Sequence, residues 1–160
     1  MKKFDSFGLE LSNFQGKLFE MSLTRYDCST LVFLRRFKGS NVAYKLDIAN
    51  KNILLDYNES FYELDMQYPE SSCGKIRYSR EVLFWMGYIY RYISYTREIT
   101  TRQAFNLISP KELSSHYYVY HTQSEEWVID RILDLKGKNS DTFSKNERLK
   151  KLLYDRYAVS

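Results

Sequence analysis

The sequence contains few cysteines, histidines and glycines, and these shortages exclude several classes of functional site. The two cysteines, Cys28 and Cys73, lie 45 positions apart with no CxxC pair, so they indicate neither a disulfide framework nor a zinc site. Six glycines leave little room for a phosphate-binding loop, and no HExxH or GxSxG motif is present. We therefore predict no metal site, no cofactor and no catalytic residue, in a protein that is not an enzyme.

Long apolar runs are also absent. The longest, over residues 82–90, is interrupted by Gly87, whereas a transmembrane helix needs about 20 apolar residues. No apolar stretch follows Met1-Lys2-Lys3, so we expect neither a signal peptide nor a membrane contact. Two reduced cysteines are typical of a cytoplasmic protein, which is the localisation we predict.

Aromatic residues, in contrast, are abundant, with 15 Tyr and 10 Phe among 160 residues. A chain of this length indicates one domain that can bury its own core without disulfides or metals. Because tyrosine combines a large contact area with a polar tip, the excess favours either an aromatic core or a recognition surface.

The net charge of +4 is distributed unevenly. Residues 136–160 hold seven basic and three acidic side chains, whereas residues 52–74 hold five acidic side chains and no basic one. Such runs usually lie on solvated faces. The functional alternatives are that Glu59, Glu63 and Asp65 bind a basic protein, or that the basic end binds phosphates.

Apolar periodicity and capping signals predict an all-α fold, a single-domain orthogonal bundle of roughly six to eight helices with at most one short strand pair. Steps of four and three from Phe7 to Met21 predict the first helix. Ser29 and Gly39 bound the second, and Pro69 ends an acidic helix. Residues 50–56 are predicted to be a loop or a short strand.

Further capping signals follow at Thr100, at Ser109-Pro110 and at Thr122. We predict that residues 1–137 form the helical domain. Residues 138–160 are predicted to form a polar linker and a basic amphipathic helix that begins at a capping box on Ser144.

Residues 80–98 are apolar at nearly every position, which predicts a central buried helix. At about 100° per residue, its small and polar side chains fall along one narrow line. These are Arg80, Gly87, Arg91, Ser94 and Glu98. We expect this line to face a groove, a partner or water.

Arg91 lies inside a Tyr-rich run. One interpretation is an aromatic core around a buried Arg91, whose partners would be Tyr hydroxyls or Glu98. The other is a protein-binding face, since Tyr and Arg dominate binding hot spots. The binding hypothesis names Tyr88, Arg91, Tyr92, Tyr95, Tyr118, Tyr120 and His121, together with the acidic Glu59, Glu63 and Asp65.

The two histidines, His116 and His121, are five positions apart, which is not the spacing of a helical metal pair. We expect His121 to form a hydrogen bond near a helix end. The alternative is a small enzyme in which His121 acts as general base beside Tyr118, Tyr120 and Arg91.

DNA binding is the second functional class. Residues 102–108 and 110–120 could form a helix-turn-helix, although Tyr117, Tyr118 and Tyr120 stand where base-reading Arg, Asn or Gln is expected. In this alternative the phosphate contacts come from the basic tail, through Lys145, Arg148, Lys150 and Lys151.

Four segments together resemble an uncharacterised family of small bacterial proteins. They are residues 33–37, 43–47, 78–92 and 117–122. The most specific feature is GYIYRY followed about 25 residues later by YYVYHT, and the resemblance covers about residues 28–135. Members of this family resemble accessory proteins of toxin–antitoxin-like loci. Their genes lie beside a gene for a toxin of the ADP-ribosyltransferase type.

The resemblance implies a binding or inhibitory role and carries over no catalytic residue. We therefore expect a non-enzymatic protein-binding module, antitoxin-like or inhibitor-like, that occludes a toxin or effector enzyme. A helix-turn-helix regulator that uses the basic tail is the alternative.

Overall fold

A computed structural model describes residues 1–69 and 74–137, and every regular element in those ranges is helical, which confirms the all-α prediction. The helices are α1 Ser6–Arg25, α2 Thr30–Lys38, α3 Asn41–Asp47, α4 Tyr57–Gln67, α5 Arg80–Arg97, α6 Thr101–Leu107, α7 Pro110–Ser115, α8 Tyr117–Tyr120 and α9 Glu125–Leu135. Nine described helices exceed the expected number because a single-turn helix, α8, follows α7 after one residue.

The predicted strand pair is wrong for the described part of the chain, which contains no strand. Residues 50–56 contain a tight turn instead. The Asn50 side chain accepts a hydrogen bond from the Asn52 amide at 2.9 Å, and the Asn50 carbonyl accepts one from the Ile53 amide at 3.0 Å. Asparagine favours such turns because its side chain bonds the backbone two residues ahead.

The chain divides into two compact units, Met1–Thr122 and Gln123–Ser160. The first contains α1 to α8, and the described part of the second contains α9. The boundary predicted after residue 137 lies inside the second unit. The predicted linker and tail helix, with its cap at Ser144, lie outside the described residues.

Capping side chains set where the helices begin, as the sequence predicted at most positions. Ser29 caps α2, Ser79 caps α5, and Ser109 caps α7 with Pro110 in its first turn. Each cap satisfies an amide that the first turn leaves without an intrahelical acceptor. The cap of α9 is Ser124, two positions after the predicted Thr122, because the Ser124 hydroxyl accepts a hydrogen bond from the Trp127 amide.

Helices α1 and α5 form the centre of the first unit and cross at two glycines. A Cβ atom on Gly87 would lie 2.7 Å from the carbonyl oxygen of Gln15 and 2.9 Å from Cα of Gly16. The Gln15 side chain donates a 2.9 Å hydrogen bond to the Gly87 carbonyl. Helix α5 is buried along most of its length, which confirms the predicted central helix.

None of the helices in the described part of the chain combines the length and the apolar character needed to cross a membrane.

Candidate functional site

Arg91 is 2% exposed and lies at the centre of a polar network. Its Nε donates to Oε1 of Gln15, its Nη1 to Oδ1 of Asp47 and its Nη2 to the hydroxyl of Thr101, each at 2.8 Å. Asp47 in turn accepts the Thr101 amide at 3.0 Å and the Thr101 hydroxyl at 2.7 Å. The network therefore connects helices α1, α3, α5 and α6.

The sequence predicted a buried Arg91 as one of two interpretations, but it named the wrong partners. Gln15 lies 76 positions from Arg91 and Asp47 lies 44 positions away, so no local pattern points to either. Burial lowers the pKa of Arg91, and the attraction of Asp47 opposes that shift only in part. In this position Arg91 does not lie on an accessible contact face.

The aromatic face of α5 is covered by the N-terminal segment. The Phe4 ring lies 6.3 Å from the Tyr88 ring, 4.2 Å from the Tyr92 ring and 6.3 Å from the Tyr95 ring, between centroids. The Lys2 amide donates to the Thr96 carbonyl at 2.7 Å, which fixes the segment along α5.

Tyr92 and Tyr95 are consequently buried, and Tyr88 is half-buried. The predicted binding role of these three tyrosines placed them on a surface, whereas here Phe4 of the same chain packs on them. Because Phe4 precedes the first periodic helix, its position gave no signal in the sequence.

Helix α8 places its aromatic residues in two environments. Tyr120 is buried and stacks on His116, with ring centroids 4.6 Å apart. Tyr118 is 82% exposed. His121 is exposed, stacks on Tyr117 at 4.4 Å and donates from Nδ1 to the Tyr117 carbonyl at 2.7 Å, as expected for a histidine at a helix end.

The outer face of α4 carries the predicted acidic residues beside two exposed apolar side chains. Tyr62 is 59% exposed and Met66 is 71% exposed, and they lie four positions apart on one face of the helix. Glu63 lies on the side of α3 and Asp65 on the side of α1, where each pairs with a basic residue. We define the acidic surface by Glu59, Tyr62, Glu63, Asp65 and Met66.

Two carboxylates of the acidic surface are held in place by neighbouring helices. Asp65 accepts from Nη2 of Arg25 and from the Tyr26 hydroxyl, each at 2.8 Å. Glu63 forms an ion pair with Lys45 of α3. Sequence reasoning named the three acidic residues but missed Tyr62 and Met66. Their spacing of four positions in an acidic helix could have indicated that they share a face of the helix.

An open pocket of about 300 Å³ lies in the first unit. Its lining includes four charged residues, Lys2, Asp47, Arg91 and Glu98. The side chains of Leu11, Leu46 and Ile99 form an apolar part of the pocket wall. His121 is not among the lining residues, so the predicted general base does not meet Arg91 in this pocket.

Glu98, which lines this pocket, has an unusual backbone conformation. It caps the C-terminus of α5 with φ 54° and ψ 46°, the left-handed region that normally favours glycine. Arg91 and Ser94 also line the pocket, whereas Gly87 contacts α1. The C-terminal part of the predicted polar line on α5 therefore faces a groove, and Gly87 allows close helix packing.

The residues proposed for DNA binding are only partly described. Helices α6 and α7 are joined by Ile108 and Ser109, but α7 ends at Ser115 after six residues and does not continue to residue 120 as predicted. The residues of the proposed phosphate contact, Lys145, Arg148, Lys150 and Lys151, lie outside the described residues.

No protein-family model, no curated protein and no solved structure matches this chain.

Proposed function

We propose that the protein is a non-enzymatic, protein-binding module, antitoxin-like or inhibitor-like, that docks a basic segment of a partner on the acidic surface. The observation that carries this proposal is the exposed pair Tyr62 and Met66 beside three carboxylates on one short helix.

The apolar pair supplies the affinity in this proposal. Tyr and Met are enriched in the cores of protein interfaces, and Met adapts its shape to different partners. Tyr62 and Met66 stand on a regular helix whose opposite face is anchored by the buried Phe61 and Leu64. A partner that covers the pair therefore meets a surface with little backbone freedom to lose.

The carboxylates supply selectivity for a basic partner. Helix α4 contains Glu59, Glu63 and Asp65 and no basic residue. Lys45 and Arg25 pair with two of these groups, so the remaining attraction is moderate and falls as salt rises. The same charges repel nucleic-acid phosphates, which is why this surface favours a protein partner, such as a toxin or effector enzyme.

The experiment begins with capture of a partner by the tagged full-length chain from its source organism. The captured protein is identified, purified separately and titrated against the wild-type chain by calorimetry. We expect a stoichiometric complex whose dissociation constant rises with salt. Tyr62→Ala and Glu59→Lys should each weaken it by about tenfold or more, as expected for interface hot spots.

Tyr118→Ala is the matched control, because Tyr118 is an exposed tyrosine on a different helix, 82% exposed against 59% for Tyr62. A complex that is insensitive to Tyr62→Ala and lost on Tyr118→Ala would move the contact to α8. Recovery of nucleic acid in place of a protein would favour the regulator alternative. If the purified partner is an enzyme, saturating amounts of the wild-type chain should inhibit it.

A further inference from the structure

We propose that the open pocket of the first unit binds a small zwitterion with one carboxylate, one ammonium group and an apolar body, which is the chemistry of a free α-amino acid. No residue of the acidic surface lines this pocket, so the inference stands independently of the proposed function.

The charge of the lining is balanced. Lys2 and Arg91 contribute two positive groups, and Asp47 and Glu98 contribute two negative groups. A ligand with a net charge would face a like charge on at least one side of so small a space. A neutral ligand without separated charges would leave the exposed Lys2 and Glu98 unused. A dipolar ligand satisfies both signs.

The carboxylate would bind on the side of Arg91 and Lys2. Lys2 is exposed and supplies the direct contact to the carboxylate. Arg91 is 2% exposed and already paired with Asp47, so it contributes positive charge from within the pocket wall. The Lys2 ammonium lies 4.3 Å from the centroid of the Tyr95 ring, at the same pocket.

The ammonium group would bind at Glu98. A non-glycine residue in the left-handed region costs about 1–2 kcal/mol, and such conformations concentrate at ligand sites. Glu98 adopts this conformation while it lines the pocket. A glycine would relieve the strain but would remove the carboxylate. The strained glutamate is therefore consistent with a need for a negative charge at this position.

The apolar body would lie against Leu11, Leu46 and Ile99. The volume of about 300 Å³ is at the lower end of the range for small-molecule sites. This size fits a single amino acid with an aliphatic or aromatic side chain better than a larger metabolite.

The test is calorimetric titration of the full chain with free leucine, methionine and phenylalanine, each paired with its N-acetyl and its amide derivative. The N-acetyl form lacks the ammonium group, and the amide lacks the carboxylate. We expect saturable binding of at least one free amino acid and affinities at least about tenfold lower for both of its derivatives, since each loses a charge-assisted hydrogen bond.

Glu98→Gln should lower the affinity for the free amino acid by a similar factor. It should not lower the affinity for the N-acetyl derivative any further, because that derivative has no ammonium group. Glu81→Gln is the matched control, because Glu81 is an exposed glutamate in the first turn of α5 and outside the pocket, and it should leave the titration unchanged. Circular dichroism checks that both variants fold. The proposal is overturned if no free amino acid binds, if a blocked derivative binds as tightly as the free form, or if Glu98→Gln has no effect.

Discussion

The Tyr95 hydroxyl donates a 2.6 Å hydrogen bond to Oδ1 of Asp5, the same oxygen that accepts the Gly8 amide at the start of α1. One carboxylate thus caps α1 and ties it to α5. Burial and the bond to Asp5 raise the pKa of Tyr95 to about 12, and the same bond lowers the pKa of Asp5. A pH dependence of stability follows from the tyrosine.

We predict that Tyr95→Phe flattens the alkaline part of the stability profile. A tyrosine with a raised folded-state pKa stabilises the fold fully below its unfolded pKa of about 10. That contribution is lost as the pH rises through about 12. Urea denaturation between these pH values measures the loss in the wild-type chain. Tyr118→Phe is the control, and an equal flattening there would contradict the assignment to Tyr95.

Arg91→Met should destabilise the fold strongly. The substitution leaves the part-buried carboxylate of Asp47 without its cation. Breaking a fully buried pair costs about 3–5 kcal/mol, which is the upper bound expected here. Urea denaturation followed by far-ultraviolet circular dichroism measures the change. Arg80→Met serves as control, because Arg80 pairs with Glu20 on the surface and such pairs contribute little. Similar losses for both variants would argue against the network as a structural centre.

Gly87→Ala should destabilise the fold although alanine is the better helix former. The gain in helix propensity is about 1 kcal/mol, but the new methyl group would meet the backbone of Gln15 and Gly16, which cannot move aside alone. Overpacking of this kind costs about 1–3 kcal/mol, so we expect a net decrease in melting temperature. Asn58→Ala on the exposed face of α4 should change it little, and an increase for Gly87→Ala would show that the helices separate easily.

Glu98→Gly should stabilise the fold by about 0.5–1 kcal/mol, because glycine adopts the left-handed region without strain and loses only part of that gain to its freer unfolded chain. Glu98→Ala keeps the strain and should show no such gain. Thermal unfolding distinguishes the two variants. If Glu98 binds the ammonium group of a ligand, both substitutions lower the affinity for that ligand. Only the glycine variant then combines a higher stability with a lower affinity.

The helices were predictable because their signals are local. Ser29, Ser79 and Ser109 each stand one position before a helix that they cap, and the apolar pattern of residues 80–98 is continuous enough to identify a buried helix. For residues 50–56 the sequence left a loop and a short strand open, because a short apolar run does not distinguish the two. The structure has the loop, with a turn that the Asn50 side chain stabilises.

The functional geometry was much less predictable because it depends on contacts between distant parts of the chain. Asp47 meets Arg91 across 44 positions, and Phe4 covers tyrosines of α5 more than 80 positions away. Neither contact produces a repeating pattern in the sequence from which it could be predicted. The left-handed conformation of Glu98 is equally invisible, since sequence statistics would place a glycine or asparagine there.

The glycine crossing of α1 and α5 also bears on how the protein is made. Gln15 and Gly87 are 72 positions apart, so at roughly 5–20 residues per second a ribosome reaches Gly87 about 4–15 s after it has added Gln15. During that interval the apolar side of α1, from Phe7 to Phe19, has no α5 to cover it. The nascent chain is therefore most exposed to aggregation and chaperone binding before α5 emerges, and the first unit can close only late in its own synthesis.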